Sequence, residues 1–137
     1  MIVPQRGKSW SPFLLSLVRI MAAFSFFTHG TSKLFAWPTP LMPGMTTVKL
    51  LSELGAAGVL ECFGGGLLLL GLFTRPVAFL LSGEMAIGYF QGHAPRAFFP
   101  LVNQGELAVA YCFLWLYLSA AGGGPWSLDA LLRKRSN

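Results

Sequence analysis

The sequence predicts an all-α fold, a four-transmembrane-helix antiparallel bundle with a short C-terminal amphipathic helix. Three observations predict it. Of 137 residues, 54% are hydrophobic and only 11% are charged, where soluble domains carry roughly a quarter charged. Mean hydropathy is +0.61, and apolar runs long enough for a bilayer alternate with short segments rich in Pro and Gly. The length allows one domain, residues 1–137, with little room for an enzyme domain beside an anchor. Ten Lys and Arg against five acids give a net charge of +5. In so apolar a chain that excess points to cytoplasmic loops, not to nucleic acid, and no basic stripe interleaved with aromatics accompanies it.

The first run, residues 13–35, follows Arg6 and Lys8 and extends about 34 Å as a helix, enough to span with some tilt. Its start imitates a signal peptide, but Arg19 interrupts the apolar stretch and the run exceeds the length of such a region, so a retained helix is expected. Pro38, Pro40, Pro43 and Gly44 then impose a loop. The second run, residues 54–73, is about 30 Å long as a helix. Thr74, Arg75 and Pro76 make a tight turn, which should lay the third run, residues 76–92, antiparallel on the second as the most secure helix pair. A broken segment containing Pro95 and Pro100 precedes the fourth run, residues 101–121. Gly122 to Pro125 stop that helix, and Ser127 is placed to cap a terminal helix ending in Arg133, Lys134 and Arg135.

Four spans put both termini on one side. Arg6, Lys8, Arg75, Arg133, Lys134 and Arg135 on that side outweigh Lys49 and Arg96 on the other, which predicts an inner-membrane protein with cytoplasmic N- and C-termini. Trp10, Trp37 and Trp126 fall near helix ends, as interfacial anchors do.

Arg19, His29, Lys33, Glu61, Glu84 and Glu106 lie within or at the edge of the spans. Charges at mid-bilayer cost at least about 2.5–3.5 kcal/mol, so these six form a candidate buried polar site facing the bundle interior. Counting depth at about 1.5 Å per residue pairs Arg19 with Glu84, His29 with Glu61 and Lys33 with Glu106. A permanently charged Arg is a poor proton carrier, which favours a structural role for the first pair. His29 and Glu61 can change protonation, so transfer of a proton or contact with a polar head group competes there with simple packing.

Gly55, Gly58, Gly64, Gly65, Gly66 and Gly71 in the second helix allow close helix approach, which would hold Glu61 against protein and not lipid. They do not form a dinucleotide fingerprint, which belongs at a strand-to-helix turn. Cys62 and Cys112 fall at similar depth, so a thiol pair is geometrically open. Ordinary small-residue packing is the competing reading, since neither a CxxC spacing nor a basic neighbour is present. No metal site is expected, and neither paired haem-ligating histidines nor iron–sulfur spacing is found.

Several blocks, taken in order, resemble the DoxX family of small four-helix membrane proteins. They are Arg19, HGTSKLF with His29, Gly30 and Lys33, ECFGGGLLLLGLFTR with Glu61, Gly65, Gly71 and Arg75, Glu84 with Met85, NQGE with Asn103, Gly105 and Glu106, and GPWSLD with Ser127 and Asp129. Gln104 departs from the doubled glycine usual before the acid. The resemblance implies a subunit of a quinone-linked redox complex or a link to redox stress and thiol metabolism, and it supplies no catalytic residues to transfer.

The first expectation for function is therefore an integral membrane subunit associated with a redox, quinone-linked complex, with its polar interior making proton or head-group contacts. It would have no cofactor of its own beyond a bound quinone or lipid, and its partners would be membrane lipids and other membrane or redox subunits, with no nucleic acid. The alternative is a non-catalytic accessory subunit that packs against a larger membrane complex. A third reading, small-molecule transport, requires a water-accessible cavity around Glu61 and Glu84.

Overall fold

The computed structural model describes residues 9–136, and every regular element among them is helical. Arg6 and Lys8, counted above toward sidedness, lie outside those residues. Helix α1 is Ser11–Phe35, α2 is Glu53–Leu70, α3 is Thr74–Gly88, α4 is the single turn Pro100–Asn103, α5 is Glu106–Ala121 and α6 is Leu128–Arg135. Two of them, α1 and α2, are long and apolar enough to cross a membrane, and α5 is a shorter apolar helix.

Local chemistry sets the boundaries. Ser52 caps α2 by accepting a hydrogen bond from the Gly55 amide at 3.0 Å, and Gly71 ends it in the left-handed region with φ of +69°. Ser127 caps α6 as the sequence predicts, accepting from the Ala130 amide at 3.2 Å. The third apolar run continues beyond α3 through a π-helical turn, Tyr89–His93. The fourth run is not one helix. Gln104 adopts φ of +60° and the Asn103 side chain accepts from the Gly105 amide at 2.8 Å, so α4 stops one turn short and α5 begins afresh at Glu106.

The packing corrects one expectation about neighbours. Contact is most extensive between α1 and α2 and between α3 and α5, and is much slighter between α2 and α3 despite their tight turn. Glycine explains the first pair. A Cβ on Gly30 would collide with the backbone of Glu61 and Cys62, and one on Gly65 would meet the Phe27 backbone at 3.0 Å. The two helices therefore touch main chain to main chain. The two pairs meet across a core of Ala23, Phe26, Leu68, Ala78, Leu81, Tyr111, Trp115 and Leu118. Phe26 packs edge-on against Tyr111 and Trp115, with centroids 5.0 and 5.3 Å away.

Candidate functional site

The three predicted charge pairings are replaced by a different arrangement. Lys33 is bonded to Glu61, and both side chains are buried. Side chains in a helix lean toward its N-terminus. Lys33, near the end of α1, leans back into the bundle. Glu61, on the antiparallel α2, leans the opposite way to meet it. The same rule carries Lys33 away from Glu106, which is exposed in the first turn of α5. His29 is half-buried and makes no hydrogen bond among the described residues, and its expected partner Glu61 is bonded to Lys33 instead.

Glu84 is the third member of this centre. It lies close to both Lys33 and Glu61, and both carboxyl oxygens are enclosed with no hydrogen-bond partner among the described residues. The water-accessible cavity that transport requires is not what surrounds these oxygens. Close approach at Gly30 and Gly58 packs α1 on α2 at this level, since a Cβ on Gly58 would lie 3.0 Å from the Lys33 Cβ.

Arg19 does not reach Glu84. It is fully buried and leans toward the start of α1, where it donates to the carbonyls of Gly123 at 2.9 Å, Leu68 at 2.5 Å, Leu69 at 2.8 Å and Trp126 at 2.6 Å. Its positive charge thus meets the C-terminal carbonyls of α2, the negative end of that helix dipole. Asp129 completes the same end by accepting from the amides of Phe73 and Thr74, both at 2.8 Å, and so caps α3 from a distance. Burial opposes its ionisation, but those bonds and nearby Arg133 hold its carboxyl below the ordinary Asp value. Gly71 lies where these parts converge: a Cβ there would be 2.5 Å from the Ser127 Cβ and 2.9 Å from the Arg19 Cζ.

Cys62 and Cys112 are free thiols. Ser82 donates to the Cys112 carbonyl at 2.7 Å, which ties α3 to α5. Asn103, 1% exposed, was not singled out from chemistry. Its amide donates to the Tyr89 hydroxyl at 3.2 Å and the Ala97 carbonyl at 3.0 Å, ordering the turn before α5. Its only signal in the sequence was its place in the NQGE block. Among the described residues no three His, Cys, Asp or Glu side chains are grouped to hold a metal ion.

The fold and this centre define a helical membrane protein with a buried polar interior. The model of the DoxX family matches residues 14–94, and the chain belongs to that family. It is 42% identical over 125 residues to an uncharacterized protein of Haemophilus influenzae, covering 89% of this chain and 92% of that protein. It is 26% identical over 135 residues to an uncharacterized membrane protein of Mycobacterium tuberculosis, covering 87% and 81% respectively. No solved structure matches.

Proposed function

We propose that this DoxX-family protein is a four-span integral protein of the inner membrane with cytoplasmic termini. In this reading it serves a redox, quinone-linked complex through the Lys33–Glu61–Glu84 centre. The observation that carries the proposal is the Glu84 carboxyl, enclosed beside an ion pair with neither oxygen bonded. An ionised carboxylate left so would be strongly unfavourable in the bilayer. Such a group suits two tasks, holding a transferable proton or donating that proton's hydrogen bond to a ligand carbonyl. For a quinone or lipid head group to use the second, the helices would have to part at Glu84, whose oxygens are enclosed, and Glu84 would be the donor, since Lys33 is engaged by Glu61. Electron transfer itself would belong to a partner subunit.

Gentle detergent purification from native membranes, with identification of co-purifying subunits and extracted quinone, tests this reading. The expected result is a redox partner whose activity falls in Glu84→Gln while the complex still assembles. Recovery of the chain with neither quinone nor redox subunit would sink it.

One observation favours the accessory reading. Nothing lies within 4 Å of where a Cβ would stand on Gly83, Gly88 or Gly92, and Gly88 and Gly92 have the spacing at which membrane helices dock closely. Under that reading Gly88→Leu with Gly92→Leu disrupts assembly, whereas Glu84→Gln leaves both assembly and activity intact.

A further inference from the structure

At the end of the bundle away from Lys33 and Glu61, a cleft of about 580 Å³ opens between the start of α1, the start of α3, the glycine turn after α5 and α6. Two guanidinium groups stand on its wall. Arg75 donates through Nη1 to the Ala120 carbonyl, while its Nε and Nη2 make no hydrogen bond among the described residues. Those two atoms lie 3.5 Å from where a Cβ on Gly122 would stand. Arg133 likewise makes no side-chain hydrogen bond among the described residues. Asp129, the acid on this wall, is already engaged by the Phe73 and Thr74 amides. Besides the Thr74 hydroxyl, the side chains of the cleft left without a full set of hydrogen bonds are the two guanidinium groups, of which Arg133 lies near Asp129.

The remaining wall includes Pro12, Leu15 and Phe73, and is apolar. Beside it, α6 carries exposed Leu131 and Leu132 ahead of Arg133, Lys134 and Arg135, the composition of a helix lying at a membrane surface. Arginine forks match phosphate oxygens in pairs. The volume far exceeds the roughly 30 Å³ share of a water, which leaves room for an esterified phosphate with its glycerol.

We propose that this cleft binds the phosphate of an anionic phospholipid. Arg75 and Arg133 hold the phosphate, and Pro12, Leu15 and Phe73 receive the glycerol and the first methylenes. The site is separate from the Glu84 centre and stands whether or not that centre serves a redox complex.

Native mass spectrometry of the purified full chain in detergent, titrated with phosphatidylglycerol or phosphatidylcholine, tests the proposal. Preferential, saturable retention of phosphatidylglycerol is expected. Arg133→Gln, at an exposed position without hydrogen bonds, should weaken it about fivefold, the effect of one basic residue near an anionic lipid. Lys134→Gln with Arg135→Gln, which lie outside the cleft, should change it far less. Equal weakening by the two variants would reduce the site to diffuse surface charge and overturn the proposal. Equal retention of the two lipids would do the same. Displacement of phosphatidylglycerol by an equal concentration of glycerol 3-phosphate would also overturn it, by assigning the cleft to a soluble phosphate ester.

Discussion

Lys33 of α1 and Glu61 of α2 form an ion pair whose side chains are 10% and 4% exposed, at the level where Gly30 brings the two backbones together. Removing one partner leaves an uncompensated charge. Lys33→Met or Glu61→Leu alone should each cost about 3–5 kcal/mol. The double variant should recover most of that loss. Thermal unfolding in detergent measures it, and a double variant as unstable as the worse single one would refute the coupling.

Glu84 should behave in the opposite way. Its oxygens have no partner to lose, and replacing a buried unpaired polar group with an apolar side chain is nearly neutral or stabilising. Glu84→Leu should therefore unfold at a temperature no lower than the wild type. A large drop in melting temperature would mean that the carboxyl is bonded to something retained on purification.

Arg19 serves four carbonyls on two segments, which an ammonium cannot reach together. Arg19→Lys should loosen the 122–126 segment and raise its cleavage rate in limited proteolysis. Combining Arg19→Glu with Glu84→Arg should rescue nothing. Recovery of protease resistance in that swap would restore the pairing that simple depth counting suggests.

The cap that Asp129 supplies to α3 has a definite pH signature. A carboxyl held below its ordinary value contributes stability that is complete above the unfolded value of about 3.9 and is lost as pH falls through the lower folded value. Proteolysis of α6 should stay slow at neutral pH and accelerate only below about pH 4. Asp129→Ala should be faster across the neutral range, having lost about 1 kcal/mol of capping. Acceleration already at pH 6 in the wild type would contradict this assignment.

Two glycines should respond with opposite signs. A Cβ on Gly30 meets the Glu61 and Cys62 backbone, while one on Gly88 meets open space. Gly30→Ala should destabilise by about 1–3 kcal/mol. Gly88→Ala should gain up to about 1 kcal/mol from helix propensity. Melting temperatures of the two variants in the same detergent decide the point.

The helical class was legible because bilayer-length apolar runs and Pro–Gly punctuation are one-dimensional signals. The candidate residues Glu61, Glu84, Arg19 and Lys33 were legible too, since charge is rare in this chain and its position is conspicuous. Their partners were not. Depth counting tracks Cα positions, whereas Lys33 and Arg19 carry their charges a full side chain away, both toward the start of α1. The break at Gln104 was hidden for a related reason: its left-handed backbone is stabilised by Asn103 and by the fit of Gly105 beside Tyr89, contacts that an apolar run does not encode. The strong α1–α2 pairing was readable only in part. The glycines of α2 announced close approach, but which helix approached depended on Gly30.

Arg19 also has a history. Its carbonyl partners at Gly123 and Trp126 lie 104 and 107 residues further along the chain, so they do not exist when the first helix emerges from the ribosome. The Leu68 and Leu69 carbonyls come sooner. Until residues 123–126 are made, only half of the final set of acceptors exists, and α1 cannot reach its native surroundings. A segment made more than a hundred residues later thus completes the surroundings of α1, and the native burial of Arg19 waits for it.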